Sequence, residues 1–269
     1  MKAILHSFIP KILVGAGVVT MLFPASIRPE PTAAATAAFD SYVGGVEKRL
    51  AKEPAPDTGF LTLADQARLR HGDLIVEELT PEGGKDVGGA LVHDWIGSAF
   101  ATGAKAVDFE RMMKDYGAYP QRFSPQVVRS RVITQQGDHY EVTMRVRQQH
   151  ILTVVMDTSY DVSFARTELR GASRGSSISR STRVAEIDAP GTAHERALSP
   201  QEDHGFLWRM NTYWTWEERD GGLYIRVESV SLTRSVPVGL GWAVKPFIES
   251  IPRESLDFTL RAACAAMRR

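Results

Sequence analysis

Cysteine is nearly missing from this chain: Cys264 is the only one in 269 residues. No internal disulfide can form, and no thiolate cluster can hold a metal. Cys264 falls in a stripe of small residues with no histidine near it in sequence. It reads as a packed, inert thiol and not as a nucleophile. An excess of either charge is missing too, since 32 Lys and Arg balance 32 Asp and Glu. A neutral chain whose arginines are scattered gives no concentrated basic surface, so no nucleic-acid partner is expected. The seven histidines, His6, His71, His93, His139, His150, His194 and His204, are dispersed. None stands in a ligand spacing such as H-E-x-x-H, and neither a metal nor another cofactor is expected. There is no internal repeat and no linker through the long central region.

One uncharged apolar run is present, Ile12–Phe23, preceded by Lys2 and Lys11 and broken by Pro24. It is short for a membrane span and right for the core of a signal peptide. Ala35-Thr36-Ala37 offers an A-x-A cleavage pattern, though far from the run. Residues 1–35 are therefore expected to be a signal peptide or an uncleaved N-terminal anchor. That predicts an exported, periplasmic or secreted protein, or one anchored to the inner membrane. Residues 36–70 form a helical pre-domain segment. Phe39, Tyr42, Val43, Val46 and Leu50 share one helix side, Gly44 and Gly45 weaken it, and a Pro-rich stretch follows from Glu53.

From residue 71 to 269 the pattern is one domain. Period-two segments recur: Asp73–Leu79, Gly89–Phe100, Val127–Thr134, Tyr140–Arg147, Ile151–Phe164, Ser176–Ile187, Phe206–Glu217 and Leu223–Thr233. Tyr140, Val142, Met144 and Val146 against Glu141, Thr143, Arg145 and Arg147 is the cleanest alternation. Gly137-Asp138 and Asp220-Gly221-Gly222 are hairpin turns. Lys105–Tyr116 has helical spacing. The chain ends in an amphipathic stretch, Val238–Arg269, with stripes Val244, Phe247, Ile248, Ile251 and Leu256, Leu260, Ala263, Met267. It predicts one long helix, or two segments meeting at Pro252. Short connections make neighbouring strands antiparallel. The expected fold is α+β: a curved antiparallel sheet of seven or eight strands gripping the C-terminal helix, with space for a small molecule between them.

His93–Phe100 (HDWIGSAF), the helix FERMMKDYGAYPQ and the strand PQVVRSRVI resemble the START-like superfamily, also called the SRPBCC or helix-grip fold. SLTRSVPVGLGW and SIPRESLDFTLRAA near the C-terminus are similar to the last helix of an exported bacterial branch. The resemblance runs from Ala90 to Met267. It implies the sheet-and-helix fold and a hydrophobic ligand. It carries over no catalytic residues, since the superfamily includes lipid carriers, hormone receptors, cyclases and oxygenase subunits.

The residues expected to line the cavity are His93, Trp95, Met144, Met156, Arg180, Trp208, Met210, Glu228, Phe247 and Ile251. Each has a plainer reading as well: core aromatics, gap-filling methionines, a hydrogen-bonded histidine. His93 and Asp94 are adjacent in a strand and point to opposite faces, so they form no dyad. Arg180 points either inward, toward Glu228 or an anionic head group, or outward with Arg183 inward instead; a one-residue slip decides. Gly171-Ala172-Ser173-Arg174-Gly175 fits a nucleophile elbow by letter, but a strand-like run follows it where a helix is needed, so it reads as a hairpin turn. Three functions are compatible. The first is binding or transfer of a lipid, isoprenoid or polyketide-like molecule by a monomer with peripheral membrane contact. The second is a cyclase/dehydrase-like enzyme using His93, Arg180, Glu228 or Tyr213 as acid or base. The third is a non-catalytic envelope interaction module.

Overall fold

The computed structural model describes residues 30–52, 61–149, 153–169, 171–235 and 241–268, with backbone alone at 169 and 241–250. The expected leader lies almost wholly outside the described residues. The sheet runs β1 (Ile75–Glu78), β3 (Ala90–Thr102), β10 (Gly222–Arg234), β9 (Arg209–Arg219), β7 (Ala172–Asp188), β6 (Thr153–Leu169), β5 (His139–Gln149) and β4 (Val127–Gln136). Every pairing is antiparallel. Two-residue strands β2 (Lys85–Asp86) and β8 (Arg196–Ala197) pair with β3 and β7. Gly137-Asp138 joins β4 to β5 and Asp220-Gly221 joins β9 to β10, as expected, and β5 also pairs antiparallel with β6. Gly171 turns the chain between β6 and β7, so the G-x-S-x-G letters lie on a hairpin and not on an elbow. The pairing of β3 with β10 is the long-range contact that assembles the sheet. Among the described residues β4 ends the sheet, and its pairing with β5 slips twice, between Val127 and Arg129 and between Val132 and Thr134.

The central strands are covered on both faces. On one side lies α5 (Gly241–Ala266), a single helix that continues through Pro252. Leu256, Leu260, Ala263 and Cys264 pack with Trp95, Ala99, Ile225 and Val227. Packing of this stripe holds the helix on the sheet, which offsets the one backbone bond a proline removes. Gly97 allows the close approach: a Cβ there would come 2.7 Å from Leu260 Cδ1. The same face receives α3 (Ala106–Lys114), a 3₁₀ turn (Tyr116–Ala118) and α4 (Tyr119–Arg122). Phe109 packs its ring 5.2 Å from Trp216 and 6.1 Å from Trp214, and Tyr116 lies 5.7 Å from Tyr140. Such tilted ring pairs fill this end of the interior.

On the other side lies α1 (Ala33–Lys52), part of the expected pre-domain segment. Ala35, Phe39, Val43 and Val46 form a second core with Ala90, Val92, Tyr213, Val230 and Leu232. Thr32 Oγ1 accepts from the Ala35 amide at 3.0 Å, capping the helix start. Ala35, in the A-x-A pattern, is fully buried. A second helix, α2 (Leu63–Arg70), starts at Thr62, whose side chain accepts from the Asp65 amide.

Candidate functional site

The faces of the strands decide which expected residues can share a site. On β3, Trp95 belongs to the α5-side core, while Val92 belongs to the α1-side core. Met144 and Met210 are half-buried against the α5-side core, and Met156 is buried. These three methionines lie toward the end of the sheet where β10 finishes and α5 begins. At the rim of that end, a crevice of about 230 Å³ separates Ile251, Glu254 and Phe258 of α5 from Pro125, Gln126 and Arg147. Gln148 Nε2 donates to Ser255 Oγ across it at 3.0 Å. Ile251 is therefore at this crevice; the Phe247 side chain lies outside the described residues.

His93 is on the same face but covered. It is 2% exposed, and its Nε2 lies 3.1 Å from Thr233 Oγ1. Gly84, with φ of 95°, closes over the ring: a Cβ there would sit 2.7 Å from His93 Cε1. Glycine is needed at this turn both for its φ and for its missing side chain. Burial pushes the imidazole down to about 4, so it is neutral over the ordinary pH range.

Arg180 and Glu228 are elsewhere, which corrects the sequence reading. The β6–β7 pairing slips between Ser159, opposite Arg183, and Tyr160, opposite Ser181. The extra residue at Thr182 breaks the alternation from Ile178 to Val184. Ile178 and Arg180 face α1, while Val184, opposite Thr158, faces α5. Neither proposed register of the whole strand applies. Arg180 Nη2 pairs with Glu47 Oε1 at 2.8 Å. Glu228 pairs with Arg49 and lies 3.8 Å from Arg226 Nη2. Trp208 also differs from expectation. It packs against the α1-side core, with the Arg234 guanidinium 5.9 Å from its ring. β9 begins only at Arg209, so its alternation does not extend back to Trp208 or to Phe206, which is 43% exposed.

These residues form a polar cluster beneath α1 that the sequence reading missed. Tyr42 Oη donates to Asp94 Oδ2 at 2.9 Å, and Tyr213 Oη donates to Glu47 Oε1 at 3.1 Å. Asp94 and Glu228 are each 1% exposed. They are diagonal neighbours on one face, since Asp94 pairs with Val230 and Glu228 with Ile96. Burial, then the Glu228 charge, pushes the Asp94 carboxyl up to about 7. Beside the cluster, a groove of about 630 Å³ runs between α1 and the β1–β2 segment. The legible signal was Tyr42, one polar tip in an apolar helix stripe. Among the described residues there is no group of three or more His, Cys, Asp or Glu that could hold a metal ion.

Several solved structures are similar to this chain. One is a STAR-related lipid transfer protein fragment from Xanthomonas axonopodis, 18% identical, covering 69% of this chain and 97% of its own, with a TM-score of 0.44. Another is the Zhui aromatase/cyclase from Streptomyces sp. R1128, 12% identical, covering 66% and 94%, with a TM-score of 0.44. A third is human STARD10, 11% identical, covering 77% and 84%, with a TM-score of 0.42. No family model matches the chain, and no curated protein matches it.

Proposed function

We propose that the chain binds a hydrophobic small molecule between the sheet and α5, entering at the rim crevice. The observation that supports this is the contrast between the two ends of the α5 face. One end is closed by Phe109, Trp214, Trp216, Tyr116 and Tyr140. At the other, Met210, Thr212, Ser229, Ser231 and Thr233 of β9 and β10 are only half-buried. Unbranched methionines adapt to varied apolar shapes, and the neighbouring hydroxyls offer a few orienting polar groups. The crevice is smaller than a typical ligand site, so entry requires α5 to swing from the β4–β5 rim. The Gln148–Ser255 bond is the latch to be broken.

Of the four acid/base candidates, Arg180, Glu228 and Tyr213 face α1, and His93 lies under Gly84. A lipid or polyketide-like ligand is therefore carried, not converted, in this reading. Native mass spectrometry of the protein purified from its own host tests it. A co-purifying lipid mass that is lost when Met210 and Met144 are both changed to Trp supports the reading; ligand-free protein sinks it. We propose further that residues 1–29 export or anchor the chain. Thr32 caps α1 and Ala35 is buried, so cleavage, where it occurs, falls before Thr32. Mass measurement of the mature chain checks this.

A further inference from the structure

Several polar tips on the α5 face are satisfied within the protein. Tyr119 Oη donates to the Met113 carbonyl at 2.6 Å, and Thr158 Oγ1 donates to the Met144 carbonyl at 3.1 Å. Ser181 Oγ accepts from the Met210 amide at 2.9 Å. Trp95 breaks this pattern. It is 8% exposed in the α5-side core, and its Nε1–H meets no acceptor among the described residues. A buried indole N–H normally finds one, because losing water without a replacement bond costs free energy.

Trp95 also heads a row of hydroxyls. It pairs with Ser229, Ser229 with Thr212, and Thr212 with Ser179, one residue on each of β3, β10, β9 and β7. Ser179 then pairs with Val162 and Val162 with Tyr140, both in the α5-side core, so the whole row faces α5. Ser229, Thr212 and Ser179 are half-buried, and their hydroxyls make no hydrogen bond among the described residues. Neighbouring strands lie about 4.8 Å apart, so the three hydroxyls span roughly 10 Å. The adjoining rows hold Gly97, Val227, Trp214 and Ser177 on one side, and His93, Ser231 and Met210 on the other. None of these carries a charge, His93 being neutral.

This arrangement selects a ligand chemistry. An indole N–H can only donate, so the atom facing it must be an acceptor. A carboxylate there would be a buried charge with no cation beside it. A plain hydrocarbon would leave the N–H as unpaired as before. Serine and threonine hydroxyls donate or accept, so further neutral oxygens can lie along the row.

We infer that Trp95 selects the occupant of the cavity: an uncharged ketone or ester whose carbonyl oxygen accepts from Trp95 Nε1–H. The inference rests on the cavity proposed above and adds the residue that discriminates among its ligands. The empty protein carries the unpaired N–H, and the carbonyl oxygen removes that cost on binding. Ser229, next in the row, stands where a second oxygen of an ester would lie.

2-Nonanone titrated into the full chain, followed by NMR of the indole N–H and methionine methyl groups, tests the inference. The chain has five tryptophans, so the Trp95 indole is one of five such resonances to assign. On saturation it should move downfield, and the carbonyl stretch of the ketone should fall in frequency; neither reading needs a variant. Trp95→Phe should weaken 2-nonanone roughly tenfold, the order of one hydrogen bond left unmade, and should return the stretch to its free value. Nonanoate at pH 7 should bind at least roughly tenfold more weakly than the ketone, as an unpaired buried charge would. Saturable shifts of the Met144 and Met210 methyls with the Trp95 indole unmoved overturn the inference and leave the cavity standing. Equal affinity in Trp95→Phe, or nonanoate binding as tightly as the ketone, does the same. The absence of any saturable shift overturns it too, and the cavity itself is then judged by the co-purifying mass.

Discussion

His93 and Asp94 are sequence neighbours that should pull stability in opposite directions as pH changes. His93 is buried neutral, with its pKa lowered from 6.5 to about 4. Between those values the unfolded chain binds the proton and the folded one does not, so stability rises with pH. Asp94 is the reverse: its carboxyl is raised from 3.8 to about 7. There the folded chain retains the proton that the unfolded chain has released, so stability falls with rising pH. Between pH 4.5 and 7 each effect amounts to at most about 3 kcal/mol, from roughly two to two and a half units at 1.36 kcal/mol each. The two nearly cancel in the native protein. Asp203, raised to about 6 first by burial and then by Glu186, adds a smaller fall. Paired carboxylates such as Glu202, held at about 2 by Arg196 and Ser199, titrate below this window. Asp94→Asn should unmask the His93 slope. The stability difference between variant and native protein, from urea unfolding at steps of pH, should move by about 3 kcal/mol in favour of the variant from pH 4.5 to 7.5. Parallel curves would refute the assignment of the buried proton to Asp94.

Three further outcomes are expected. Gly175→Ala places a Cβ 2.2 Å from the Trp216 indole, which is 1% exposed, so strain should lower stability by about 1–3 kcal/mol in thermal unfolding. A paired Trp216→Leu change should recover part of that loss relative to Trp216→Leu alone. Phe39→Ala empties the centre of the α1-side core and should cost about 3–5 kcal/mol of unfolding stability. Hydrogen exchange should then accelerate in α1 before it does in β3 or β10. Burial raises the Cys264 thiol above its ordinary value, so a thiol reagent at pH 8 should react with it only at the rate of unfolding.

Much of the architecture was readable in the sequence because its signals are local. Tyr140–Val146 alternates cleanly and becomes β5, and the Gly137-Asp138 and Asp220-Gly221 turns join the strands they were expected to join. The stripes of Leu256, Leu260 and Ala263 put α5 on the sheet. What was not readable depends on pairing across the chain. The slip opposite Ser159 reverses the facing of Val184 relative to Arg180, and nothing in Ser176–Ile187 marks it. Arg180 and Glu228 looked like partners for each other. Their charges instead pair with Glu47 and Arg49, on a helix that sequence periodicity could place on either face. His93 was rightly separated from Asp94, yet the turn that covers it comes from Gly84, whose role follows only from the β2–β3 pairing.

Among the described residues the sheet does not close on itself, and no strand pairs with the outer side of β4. An exposed strand of ten residues would ordinarily recruit a strand from another molecule. This one is a poor template. Its two register slips interrupt the regular spacing that an added strand would need, and Arg129, Arg131, Gln135 and Gln136 make burial of a neighbour costly. Straightening that edge, by deleting one bulged residue and replacing the arginines with threonine, would remove both defences together. The first property such a variant would lose is its solubility, well before its fold.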